Sequence, residues 1–210
     1  MTRYSLFSIV GIVVILMSCQ NEEEAAFGKT QLDFVEMLTD ANGTARWLAR
    51  DLNDTLRLTN PISGFKSDTL YRSIAVYSVT ANHATISSVT PAISSTPSAF
   101  AHQEIYTDPL KVQSIWRGGH YVNLTLNLLS QGLGHTFAFV DKGITTQANG
   151  TQTLHLQLYH KQGADPLLYA RTAYLSCPLY KYAQQLHHGT DSIFFTIHQF
   201  QGESTWKLRY

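Results

Sequence analysis

Nine histidines are the first side chains in this sequence to weigh for binding a metal or moving a proton. A metal centre needs its ligands clustered, and neither an HExxH motif nor a histidine-rich tract occurs. His155 falls on the wet face of the run TLHLQLYH, opposite Leu154, Leu156 and Leu158, and His160 closes that run. His187 and His188 are neighbours, and adjacent residues on extended chain point apart, so the pair is a poor chelate. The residues predict no metal and no other cofactor. Glycoside hydrolysis would need two carboxylates flanking a bond, for which Asp165 or Asp191 with Glu203 are the candidates. Asp165-Pro166 and Asp191-Ser192 read instead as a turn and the start of a strand, and Glu203 beside Gly202 as a hairpin tip. No GxSxG stretch marks an activated serine. The expectation is a protein with no catalytic residues, a secreted hydrolase being the weakest alternative.

The sequence has two cysteines. Cys19 follows Met1-Thr2-Arg3 and an apolar run from Leu6 to Met17, a signal-peptide pattern too short to span a bilayer. Leu16-Met17-Ser18-Cys19 resembles a bacterial lipobox, which implies removal of residues 1–18 and acylation of Cys19 with palmitate-type chains. Each buried methylene contributes about 0.8 kcal/mol, so a multiply acylated cysteine holds its protein on a membrane. Gln20 stands where an aspartate would favour the inner membrane, which points to the outer membrane, with the protein facing the cell surface or the periplasm. Glu22, Glu23 and Glu24 have two open readings: they keep the tether of residues 19–28 solvated, or they signal export to the surface. With Cys19 lipidated, Cys177 has no intramolecular partner, and its place after the alternating run YARTAYLS suits a buried, structural thiol.

Charge narrows the partners. The chain carries 15 basic and 15 acidic side chains, which leaves it without the positive field that draws proteins to a phosphate backbone. Nucleic acid is therefore not an expected partner. Short alternating runs separated by turn signals recur throughout, beginning with QLDFVEML, the Asn42-Gly43 pair and ARWLARD. Pro91 to Pro109, rich in serine and alanine, reads as an exposed connection between two units, with the linker proper at 101–107. After it, YVNLTLNLLS places Val122, Leu124, Leu126 and Leu128 on a core face, and Asn123, Thr125 and Asn127 on a wet one. About seven such strands over 108–210 predict an antiparallel β-sandwich, and the whole chain reads as all-β. Pro178 to His188 is the exception, a short helix or a loop.

The stretches LTNPISGFKSDTLYRSIAVYSV, DPLKVQSIWRGGHYVNLTLNLLS, LHLQLYHKQGAD and DSIFFTIHQFQGESTWKL together resemble the NigD-like lipoproteins of Bacteroidota. The resemblance covers the chain beyond the signal peptide, and its most specific part is DP, SIW, GG and YVN within residues 108–123. It implies an N-terminal OB-like small barrel at 29–100 followed by a C-terminal β-sandwich, and no agreed molecular activity. An OB-like unit invites a nucleic-acid reading, but residues 29–100 balance six basic against six acidic groups, without the basic groove of single-strand binders.

Trp47, Trp116 and Trp206 could form a sugar-stacking platform, yet one tryptophan on each strand reads more readily as a core anchor. Tyr180 and Tyr182, with His187 close by in the irregular segment, are the candidate exposed ligand contacts. The leading expectation is a non-catalytic, lipid-anchored protein that binds a glycan or a protein through its second domain or an interdomain groove. The alternative is a structural or envelope-assembly lipoprotein without a small-molecule ligand.

Overall fold

A computed structural model describes residues 29–100, 104–132 and 134–210. Cys19, Gln20, Glu22, Glu23 and Glu24 lie outside the described residues, as does part of the 101–107 stretch. The described chain is all-β apart from a 3₁₀ turn at Tyr180–Tyr182, within the segment read as a short helix or loop.

The first unit is a closed barrel of five strands: β1 (Thr30–Leu38), β2 (Ala45–Arg50), β3 (Thr55–Ile62), β4 (Leu70–Thr80) and β5 (His83–Pro91). The order around the barrel is β1-β2-β3-β5-β4, and closure by β1 against β4 removes every free edge. This is the OB-like arrangement, with β3 and β5 parallel and the other pairs antiparallel. Strand alternation fills it: Val35, Met37, Leu48, Leu56, Ala75 and Tyr77 point inward and form one buried cluster. Gly43 sits in the β1–β2 turn at φ +69°, and a β-carbon there would collide with the Phe65 carbonyl, so the Asn-Gly signal marks a position that only glycine fits.

The second unit is a sandwich of two sheets. One holds β6 (Lys111–Gly118), β7 (Tyr121–Ser130) and β10 (Tyr169–Pro178) in the order β10-β7-β6. The other holds β8 (Thr136–Thr146), β9 (Gln152–Lys161), β11 (Ser192–Gln199) and β12 (Gly202–Arg209) in the order β12-β11-β9-β8. Leucines of β7 and β9 meet Phe139, Phe195 and Cys177 between them. Pairing is antiparallel except between β9 and β11, which run parallel.

The stretch after Pro91 is largely exposed over residues 91–100, yet it is bonded to the sandwich rather than hanging free. Ile93 bridges to Leu175 at the edge of β10, and Ser98 bridges to Val140 in β8, so residues 92–98 strap the two sheets together along one side. Residues 106–110 then run between His160 at the end of β9 and Gln199 at the end of β11 before continuing into β6. Prolines and serines bar a long ladder but not isolated bridges, and those bridges satisfy backbone groups that a sandwich edge would otherwise leave open.

Candidate functional site

The barrel sits on the outer face of the three-stranded sheet. Across that sheet Trp116, Asn123 and Ser176 are cross-strand partners in one row. Onto the row fall the outward side chains of β1 and β4, chiefly Phe34, Glu36 and Arg72. Phe34 meets the ring of Trp116 edge-on at 5.5 Å and that of Tyr174 at 6.1 Å. Arg72, whose side chain is 4% exposed, donates from Nε to Ser176 Oγ at 2.9 Å. Its Nη2 donates to Asn123 Oδ1 at 3.0 Å and to Asp51 Oδ2 at 2.7 Å. Asn123 Nδ2 returns a bond to the same Asp51 oxygen at 2.7 Å, and Ser176 Oγ donates to Asn123 Oδ1 at 2.7 Å. The guanidinium also rests 3.9 Å from the centre of the Tyr121 ring. Glu36 completes the joint by accepting the hydroxyls of Tyr121 at 2.6 Å and Tyr180 at 2.5 Å. Burial, reinforced by Glu36, pushes the Tyr121 hydroxyl well above its ordinary pKa, so it remains a donor.

This arrangement corrects the expectation for β7. Asn123 is fully buried and Thr125 nearly so, because the barrel covers the face that alternation alone assigns to water. Asn123 tolerates that burial because its amide is bonded to Arg72, Ser176 and Asp51. Trp116, Gly118, Tyr121 and Asn123, from the SIW, GG and YVN stretches, thus help build the joint between the units, while Ile115 and Val122 serve the sandwich core.

Three hollows surround the β2–β3 turn, all of them touching Asp51. The first, about 190 Å³, is largely apolar and lined by Leu32, Phe34, Leu52 and Trp116 with Asp33, Arg50 and Asp51. The second, about 420 Å³, is polar and brings Arg117, His120, His188, Arg209 and Tyr210 together with Asp51 and Asn53. The third, about 260 Å³, runs along the same turn past Glu36, His120 and Tyr121.

The predicted contact residues separate. Tyr180 is at the joint, half exposed and stacked near His120. Tyr182, expected to be exposed, is buried in the sandwich core with its hydroxyl on Asp141 Oδ2 at 2.8 Å, because the 3₁₀ turn directs it inward. His187 is exposed and lies 3.4 Å from Asp191, while its neighbour His188 lines the polar hollow. The tryptophans do not form one platform: Trp206 packs on the sandwich core, Trp116 on Phe34 and Trp47 beside Arg57. At 52% and 38% exposed, Trp47 and Trp116 are not core anchors, contrary to expectation.

Of the three carboxylates weighed for catalysis, Asp191 and Asp165 are engaged in holding backbone, while Glu203 is exposed on β12. Asp191, 2% exposed, accepts the N–H groups of Gln152 and His187, and the first of these bonds leads in holding its carboxyl below the usual range. Asp165, also 2% exposed, accepts Ser130 Oγ and the Gln131 N–H. It adjoins a buried pair in which His135 Nδ1 and His160 Nε2 are 2.7 Å apart, with His160 Nδ1 on the Asp108 carbonyl. Burial holds the His160 imidazole below its ordinary pKa. Among the described residues, no group of three histidine, cysteine or carboxylate side chains could hold a metal ion. Nor is any helix of the described residues long and apolar enough to cross a membrane.

An OB-like barrel locked onto a two-sheet sandwich defines an all-β, two-unit protein. Residues 92–210 match the NigD-like C-terminal beta sandwich domain, and the chain belongs to the NigD-like family. Among crystal structures, a NigD-like immunity protein from Bacteroides caccae is 28% identical, with a TM-score of 0.69 over 84% of this chain and 90% of that one. A protein from Bacteroides fragilis named as a candidate lipoprotein is 14% identical, with a TM-score of 0.60 over 87% of this chain and 98% of that one. A protein from Parabacteroides distasonis, named as a candidate toxin-related protein, is 16% identical with a TM-score of 0.62 over 87% and 93%. Both of these share the fold. No curated protein matches the chain.

Proposed function

We propose that this chain is a non-catalytic, lipid-anchored binding protein of the outer membrane whose partner is a protein docking across the barrel–sandwich joint. The observation that carries the proposal is the convergence of Leu32, Leu52 and Trp116, exposed by 54%, 77% and 38%, on one apolar hollow where the two units meet. Single exposed apolar side chains are ordinary, whereas several around a preformed hollow, with a tryptophan among them, are the composition of an interface centre. The joint beneath them is fastened by Arg72, so the face is presented without prior ordering. The bonding of Asp165 and Asp191 to backbone favours binding over hydrolysis. Naming of the Bacteroides caccae neighbour as an immunity protein fits a partner-binding role. The lipobox at Cys19 supports the membrane anchor.

A photo-crosslinking amino acid at position 52, in the bacterium that makes the protein, tests the docking face. A discrete adduct is expected from position 52, absent from position 205 on the outer sandwich sheet and lost when Trp116→Ala is added. Equal adducts from both positions, or none from either, would contradict it. For the anchor, metabolic palmitate should label the wild type and not Cys19→Ala. A labelled variant would remove that part of the reading.

A further inference from the structure

The polar hollow on the other side of Asp51 differs in chemistry from the apolar one. Arg117 and Arg209 both line it, and neither takes part in any ion pair among the described residues. Arg209 spends its Nε on the Gly189 carbonyl at 2.9 Å. Arg117 donates from Nη2 to His188 Nδ1 at 3.1 Å, while its Nε is a buried donor without an acceptor. His188 is in turn stacked on the Tyr210 ring, with centroids 4.7 Å apart and planes 11° apart, so the imidazole and the guanidinium are fixed in place. His120 adds a second imidazole, held against Tyr180. Asp51 is the one acidic side chain in the lining, and it is engaged by Arg72 and Asn123. Two guanidinium groups without carboxylate partners, in a preformed recess of about 420 Å³, have the donor chemistry for a carboxylate.

We propose that this recess, bounded by the β2–β3 turn, the β6–β7 turn and the His188–Gly189 segment, is an anion site that takes the carboxylates of an acidic protein segment through Arg117 and Arg209. A protein is the favoured source because Asp51 lines both this recess and the apolar hollow, so one partner could fill both. The inference rests on the docking face proposed above. Such a division is common at interfaces, where apolar contact supplies affinity and charge supplies selectivity and encounter rate.

The test uses the processed lipoprotein in detergent micelles and three probes: capped hexaglutamate, capped hexaglutamine and trigalacturonate. Binding is followed through the imidazole resonances of His120 and His188. Hexaglutamate is expected to shift both, more weakly as salt is raised, and hexaglutamine to shift neither. Replacing both arginines, Arg117→Gln with Arg209→Gln, should weaken hexaglutamate binding about tenfold or more. The salt dependence of the wild type supplies a reading that needs no variant. Absence of hexaglutamate binding, or binding unchanged in the double variant, would overturn the site. Tighter binding of trigalacturonate than of hexaglutamate would overturn the protein source in favour of an acidic glycan. A position-52 adduct without hexaglutamate binding would overturn this anion site and leave the docking face standing.

Discussion

Gly118 and Asp51 approach so closely that a β-carbon on the glycine would stand 2.6 Å from Asp51 Oδ2 and 3.0 Å from Asn123 Nδ2. The carboxylate that binds Arg72 occupies the space that any side chain at position 118 would need. Gly118→Ala should therefore displace Asp51 or Asn123 and weaken the joint. The expected loss is about 1–3 kcal/mol, as for overpacking elsewhere, read from a denaturant melt. A variant as stable as the wild type would mean that the joint yields without cost.

Cys177 is fully buried between the sandwich sheets, and burial pushes its thiol pKa well up. Native protein should resist thiol labelling until it is unfolded. Cys177→Ser places a hydroxyl there and should cost about 1–3 kcal/mol while leaving membrane association intact. Rapid labelling under native conditions would show the site to be open.

How much of this was legible in the sequence varies with the range of the interaction concerned. Strand alternation is local, so the core leucines of β7 and β9 and the Asn42-Gly43 turn were readable from spacing. The depth of Asn123 was not, because the residue that covers it, Arg72, is 51 positions away on another unit. Tyr182 and Tyr180 are two apart in an irregular segment, where no strand period says which one points inward. Spacing shows His188 only as half of a poor chelate with His187; its stacking on Tyr210 arises only when the chain end returns beside it. The prolines of 91–109 signalled a break correctly as far as a continuous strand is concerned, but the bridges at Ile93, Ser98, Thr107 and Leu110 use distant partners that no local pattern announces.

Stability should fall on mild acidification through His160. Its folded pKa is depressed below the ordinary 6.5, chiefly by burial, with His135 adding to the depression and the Asp108 carbonyl opposing it. The sign follows: below about 6.5 the unfolded chain takes up a proton that the folded chain refuses, so stability present at neutral pH declines as pH drops toward the folded value. Denaturant melts between pH 7.5 and pH 5 (roughly the span over which a histidine titrates) should show the decline, and His160→Gln should reduce it. An identical slope in the variant would assign the effect elsewhere.

Asp191 acts in the more acidic range. The backbone N–H groups of Gln152 and His187 hold its carboxyl below the usual range, so its contribution is present at neutral pH and is lost as pH falls through the folded value. Asp191→Asn should lower stability at pH 7 and flatten the acid-side decline. Membrane attachment should be unaffected. A variant that melts like the wild type at neutral pH would remove Asp191 from the set of structural carboxylates.

A binding face that spans two units exists only if those units move as one, and the Arg72 joint is what fastens them. Calorimetry of wild type against Arg72→Ala measures this most directly. The wild type should melt in a single transition. Arg72→Ala leaves Asp51 and Asn123 without their partner and should cost about 3–5 kcal/mol, the usual penalty for breaking a buried pair, while splitting the melt into separate barrel and sandwich transitions. A single transition at the wild-type temperature in Arg72→Ala would contradict the claim that barrel and sandwich form one body.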